Sequence, residues 1–208
     1  NSNFKLLKKS KTKICLLSSV VPKLNNLVKK ITLKYDIIFF NLNSKNLPFK
    51  LNIKYDLKKI GADRLANTIA IINLKYKNSI IVDFGTATTF DVIKNNTYVG
   101  GLIFPGISIS HNSLIKSAAL LNKIKFVKIK KIVANSTNES MQAGFYWGYI
   151  SVVNGIIEKI IDEKKFKPKI ILTGGLANIF KSRIKPKPIV NQNLTLEGLR
   201  IIGKKINA

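Results

Sequence analysis

Cysteine and histidine are almost missing from this chain: Cys15 and His111 are the only ones in 208 residues. A disulfide framework and a cysteine-rich metal site are thereby excluded, as is an HExxH zinc centre. A Ser-His-Asp triad would rest on one histidine set among Ser and Asn near a helix start, where a solvated or hydrogen-bonded role is expected. Cys15 lies in the apolar run Ile14-Cys15-Leu16-Leu17 and reads as a small core residue. Acidic side chains are scarce as well, 10 against 36 basic ones, so the net charge is +26. Arginine is limited to Arg64, Arg183 and Arg200. A charge of this size points to nucleic acid, but base-edge and phosphate readout favour arginine forks. The lysines are spread along the chain among abundant Ile and Asn, all with A/T-rich codons, so no nucleic-acid partner is expected. Such a surface still attracts anionic substrates.

Long apolar runs are absent too. None reaches the ~18 residues of a membrane span, and Asn-Ser-Asn-Phe-Lys at the start lacks the apolar core of a signal peptide. No membrane association and a reducing cytoplasm are expected. Neither G-x-x-x-x-G-K-[ST] nor G-x-G-x-x-G occurs. The chain does not begin with Met, and Asn3 to Ser10 reads as the last turns of a helix.

What is present is a hydrophobic content of 46%, enough for a substantial core. Strands are expected at Lys13–Ser19, Ile37–Leu42, Ser79–Val82, Thr88–Ile93, Tyr98–Phe104 and Lys169–Thr173, with a short basic strand region at Lys123–Lys131. Helices are expected from Pro22 to about Lys34, over Ala62–Tyr76, Gly106–Leu121, Asn138–Glu163 and Thr195–Ile206, with another starting at Gly175–Lys181. The alternation indicates an α/β architecture. A domain boundary near Lys77-Asn78 divides it into 1–78 and 79–208.

The richest segment is Asp83-Phe84-Gly85-Thr86-Ala87-Thr88-Thr89-Phe90-Asp91, at the end of the apolar run Ser79–Val82. A glycine lets an anion approach main-chain N–H groups. Threonine hydroxyls add donors, and Asp83 offers a hard oxygen to a cation. The segment reads as a phosphate-holding turn or as a threonine-rich hairpin. Gly61-Ala62-Asp63-Arg64 precedes a buried helix. There the helix dipole and the neighbouring guanidinium both stabilise negative charge, and a fixed carboxylate can accept a proton from a substrate hydroxyl. A helix cap with an ion pair is the structural alternative. Gly100-Gly101 within a strand reads as a bulge or a close approach by ligand, or as a bend that lets the hairpin pack, and Pro105-Gly106 as a turn before a helix. Thr173-Gly174-Gly175 is a strand-to-helix turn open to a nucleotide. Ser136 and Glu139 form a capping box that leaves Thr137 and Asn138 at a helix mouth. Gly144 and Gly148 lie one turn apart in that helix, where a close helix contact within the fold or across a dimer would justify them.

Together with Ser18-Ser19-Val20-Val21-Pro22 and Leu194-Thr195-Leu196-Glu197-Gly198-Leu199, these segments stand in an order that resembles type III pantothenate kinase over essentially the whole chain. That family belongs to the sugar kinase, heat-shock ATPase and actin superfamily. The resemblance implies a two-domain ribonuclease H-like, actin-like ATPase fold of mixed sheets flanked by helices. It implies ATP-dependent phosphorylation of pantothenate, the first step towards coenzyme A. It makes Asp63 the general base, with Tyr55, Gly61, Ala62, Arg64 and Thr137 contacting pantothenate, although Tyr55 stands one residue short of the usual spacing. Gly85, Thr86, Thr88, Gly174 and Gly175 would serve ATP, Asp83 a monovalent cation (K+ or NH4+), and Mg2+ would accompany ATP. A homodimer is implied, with the substrate site at its interface. The family's opening D-x-G-N-T strand has no counterpart among these 208 residues. With the first strands of domain one also lacking, impaired activity of the chain as given is expected. A non-catalytic ligand-binding or regulatory relative of the same fold is the alternative.

Overall fold

The computed structural model describes residues 13–19, 21–43, 45–56, 59–117 and 126–206. The expected helix end at Asn3 to Ser10 lies outside them, as do residues 118–125. The chain forms two compact units: one runs up to Lys75 and resumes at Leu194, and the other is Tyr76–Asn193.

In the first unit, β1 (Ile14–Leu17) pairs in parallel with β2 (Ile38–Asn41), Ile14 opposite Ile38. Parallel strands need a crossover, which α1 (Pro22–Leu33) supplies with proline in its first turn. β1 is half-buried rather than buried. An irregular stretch then leads to α2 (Ala62–Asn73), buried at nine of its twelve positions, which is why its sequence is almost continuously apolar. Ala62, Ala66 and Ile69 of α2 share a core with Leu42 and with Ile202 of α6 (Leu194–Ile206). The two helices touch at Gly198, where any β-carbon would fall on the Ala66 carbonyl. Beside that contact, Thr195 Oγ1 donates to Oδ1 of fully buried Asn67 over 2.7 Å. Residues 194–206 therefore do not belong with 79–193, as the sequence reading had them. The amphipathic face of α6 packs on α2 and on Leu16 of β1.

The second unit is built on a five-stranded sheet in the order β5-β4-β3-β6-β7. Its strands are β3 (Ser79–Phe84), β4 (Ala87–Lys94), β5 (Thr97–Pro105), β6 (Lys169–Gly174) and β7 (Ile189–Val190). β3, β4 and β5 form an antiparallel meander, and β6 and β7 extend it in parallel. Asn95 and Asn96, with φ of 50° and 58°, close the β4–β5 hairpin, as the left-handed residues of a two-residue turn must. Opposite them the register slips between Val92 and Ile93, where Gly100 takes φ of 122°. Gly100 is thus explained by a bulge.

α3 (Ile107–Ser117) follows β5, and α4 (Thr137–Lys164) covers the sheet. Tyr146, Tyr149, Ile150, Val153, Ile157 and Ile160 recur at helical spacing along the buried face of α4. They pack against Ile80, Val82 and Phe84 of β3 and their neighbours on β4 and β6. Ser136 caps the helix, its hydroxyl accepting from the Glu139 N–H at 3.4 Å. At the other end Lys94 Nζ donates to the Lys164 carbonyl over 2.6 Å.

Three expectations change in this unit. Residues 126–131, the described part of the expected basic strand, are irregular. Phe126 and Ile129 pack on the core from outside the sheet, and Phe126 faces Phe180 at 5.9 Å. The expected helix from Gly175 contracts to the single turn of α5 (Ala177–Phe180). His111 is buried on α3, edge-on to Phe145 at 5.2 Å, rather than solvated. Cys15 is half-buried, and that burial raises its thiol above the usual range, in keeping with a core role. Among the described residues no helix is long and apolar enough to cross a membrane.

Candidate functional site

The candidate residues divide between the two units. In the first, Gly61 is the N-cap of α2 in extended conformation (φ −62°, ψ 149°). Asp63 follows in the first turn with an exposed side chain, whose Oδ1 accepts from the Arg64 N–H at 2.8 Å. Ala62 and Arg64 are buried. Asp63 and Arg64 thus face different environments although they are adjacent in the chain. The helix N-terminus leaves a carboxylate at the surface, beside the positive end of a helix dipole. Tyr55 is 41% exposed on the irregular stretch before α2.

In the second unit, the strand ends do the assembling. β3 is flanked by β4 and β6, and its last residues stand opposite Thr89 and Thr88 on one side and Thr173 and Gly174 on the other. Asp83 and Gly174 therefore emerge side by side. The contact is close: a β-carbon on Gly174 would lie 2.6 Å from Asp83 Oδ1 and 2.7 Å from the Phe84 carbonyl. Gly174 also has φ of 85°, open mainly to glycine. Gly85 and Thr86 form the exposed turn between β3 and β4, closed by a 3.1 Å bond from the Gly85 N–H to the Ala87 carbonyl. Thr88 lies on β4, fully buried, and its hydroxyl has no hydrogen-bond partner among the described residues.

Sequence reasoning gave the two glycines of Thr173-Gly174-Gly175 equal weight, but only Gly174 is forced. Gly175 has open space where a side chain would stand. Gly106 was read as part of a turn, yet its backbone lies against the loop itself. A β-carbon there would run into the carbonyls of Thr86 and Gly85. Pro105-Gly106 immediately before a helix was the available signal.

Thr137 stands elsewhere in this unit, at the start of α4. It lines a groove of about 580 Å³ with Phe104, Leu114, Met141 and Phe145, floored by Gly144 and Gly148. Among the described residues no atom outside the helix's own backbone would meet a β-carbon within 4 Å at either glycine, so no described helix contact explains them.

A carboxylate oxygen held over glycines at a strand end, an exposed Gly-Thr turn and a buried unpartnered hydroxyl suit a phosphate and a hard cation. Among the described residues no three His, Cys, Asp or Glu side chains cluster as metal ligands. The meander-plus-parallel sheet with this loop at its strand ends belongs to the α/β class with an actin-like fold. Among solved structures, the chain is similar to a conserved Baf family protein of Campylobacter jejuni. That likeness has a TM-score of 0.63 at 22% identity, covering 98% of this chain and 88% of the other. It is also similar to the apo psk41 ParM protein, with a TM-score of 0.51 at 12% identity, covering 99% and 68%.

The chain belongs to the type III pantothenate kinase family, whose model matches residues 2–159. A type III pantothenate kinase of Pelagibacter ubique is 44% identical over 194 residues, 93% of this chain and 78% of that protein. Another, from Geotalea daltonii, is 41% identical over 192 residues, 91% and 75%. These relatives are kinases, which does not favour the non-catalytic alternative. Kinases of this kind use ATP together with a divalent metal.

Proposed function

We propose that this protein transfers the γ-phosphoryl group of ATP to the primary hydroxyl of pantothenate, giving 4′-phosphopantothenate and ADP. The observation that carries the reading is the meeting of Asp83, Gly85, Thr86 and Gly174 at adjoining strand ends in a chain of this family. Asp63 accepts the hydroxyl proton as the new O–P bond forms and the bond to ADP breaks. Its exposed position at a helix N-terminus supports that role. Gly61, Ala62, Arg64, Tyr55 and Thr137 hold pantothenate. Gly85 and Thr86 receive phosphate through N–H and O–H donors, with Thr88, Gly174 and Gly175 shaping the nucleotide site.

Asp83 suits a monovalent cation, K+ or NH4+, because its oxygen is fixed over glycine backbone and hard oxygen donors match such an ion. Mg2+ bound with ATP would supply positive charge against the transferring phosphoryl group. We further infer a homodimer, with a second copy seated in the α4 groove over Gly144 and Gly148, and a cytoplasmic setting. The open face at both glycines supports the dimer. The test is ADP release with pantothenate, Mg2+ and K+, with 4′-phosphopantothenate identified by mass spectrometry. Hydrolysis of ATP without that product would overturn the reading.

A further inference from the structure

We propose that Tyr149 is a positioning residue for the phosphate loop, acting through the Pro105–Gly106 turn. Tyr149 is buried on α4, its ring edge-on to Phe104 at 5.8 Å. Its hydroxyl donates to the Pro105 carbonyl over 2.7 Å and lies 3.0 Å from the Ser110 hydroxyl. Ser110 belongs to the first turn of α3, where its N–H donates to the Gly106 carbonyl at 3.0 Å. One phenol therefore ties together α4, the end of β5 and the start of α3.

The tied turn is also the wall of the loop. Pro105 stands opposite Ala87 in the β4–β5 register. The Gly106 backbone leaves no room for a methyl group between itself and the Gly85 and Thr86 carbonyls. Backbone in direct contact cannot move independently, so a shift of Pro105–Gly106 displaces Gly85–Thr86. Within the loop the Gly85 N–H donates to the Ala87 carbonyl at 3.1 Å, and this wall supports the loop from the side. Tyr149 also lines the groove that holds Thr137, so the same ring connects that groove with the loop.

This inference rests on the nucleotide role proposed above for Gly85 and Thr86. The test is Tyr149→Phe, which keeps the ring and removes only the hydroxyl, with Ser110→Ala as a comparison that leaves the bond to Pro105 in place. Loss of a positioning hydrogen bond corresponds to about a fivefold effect. The expected result is an ADP dissociation constant and a KM for ATP raised about fivefold in Tyr149→Phe, with the KM for pantothenate unchanged and Ser110→Ala close to wild type. Direct ADP binding by calorimetry, without pantothenate, separates the two ideas. Wild-type protein that fails to bind ADP overturns the nucleotide role and this inference with it. ADP binding that is equally tight in Tyr149→Phe, or KM values that rise in parallel for both substrates, overturns the positioning role alone.

Discussion

Gly174→Ala and Gly175→Ala are adjacent, chemically identical substitutions with opposite expected outcomes. At Gly174 the backbone has φ of 85°, which costs an L-residue about 1–2 kcal/mol. The new methyl group would also lie 2.6 Å from Asp83 Oδ1 and 2.7 Å from the Phe84 carbonyl. Overpacking against the Phe84 carbonyl, which cannot rotate away as the carboxylate can, adds about 1–3 kcal/mol. The sum, about 2–5 kcal/mol, is a large fraction of a typical domain stability of about 5–15 kcal/mol. For a chain of this size it corresponds to a fall in Tm of roughly 5–20 °C. On the proposed role of Asp83 as a cation ligand, the displaced carboxylate also raises the K+ concentration for half-maximal activity.

At Gly175 a methyl group meets nothing within 4 Å. The substitution there also reduces the freedom of the unfolded chain, so it is expected to be neutral or to stabilise by up to about 1 kcal/mol. Calorimetry of both variants, with K+ titrations of activity, checks this. A Gly174→Ala protein as stable as Gly175→Ala would refute the close approach of β3 and β6 at Asp83.

Gly198→Ala sets a methyl group on the Ala66 carbonyl. It should lower thermal stability by an amount comparable to Gly174→Ala, although alanine is the better helix former; an unchanged Tm would contradict the α2–α6 contact. Gly148→Arg enters open space on α4 and removes a helix glycine worth about 1 kcal/mol. It should therefore leave the subunit folded while converting a dimer to monomer in light scattering behind a sizing column, with Tm lowered only by the loss of dimer stabilisation. A dimer that persists would place the second copy elsewhere.

Much of the fold was legible because its signals are local. The asparagine turn, the capping box at Ser136, the proline opening α1 and the buried run of α2 each depend on neighbouring residues alone. The partner of α6 was not legible. A helix with one apolar stripe states that it packs, not on what, and the fit of Gly198 to Ala66 joins residues 132 positions apart. β7 was invisible because two residues, Ile189 and Val190, carry no periodicity. The stretch 126–131 read as part of a strand, but its Phe126 and Ile129 serve packing outside the sheet.

At the site, residue types were readable and their burdens were not. Gly174 and Gly175 look alike until φ and contacts distinguish them. Tyr149 carries no sequence signal of its own, and only the fold brings its hydroxyl to Pro105.

Asp63→Asn tests the central claim most directly. The side chain is exposed, and an amide oxygen can still accept the Arg64 N–H that Asp63 Oδ1 now accepts at 2.8 Å. Stability should therefore stay within about 0.5 kcal/mol, and nucleotide binding should be unchanged. The amide cannot take the hydroxyl proton, so kcat for 4′-phosphopantothenate formation should fall by about 10²–10⁴-fold. Turnover within a few fold of the unsubstituted protein would contradict the assignment of Asp63 as the base.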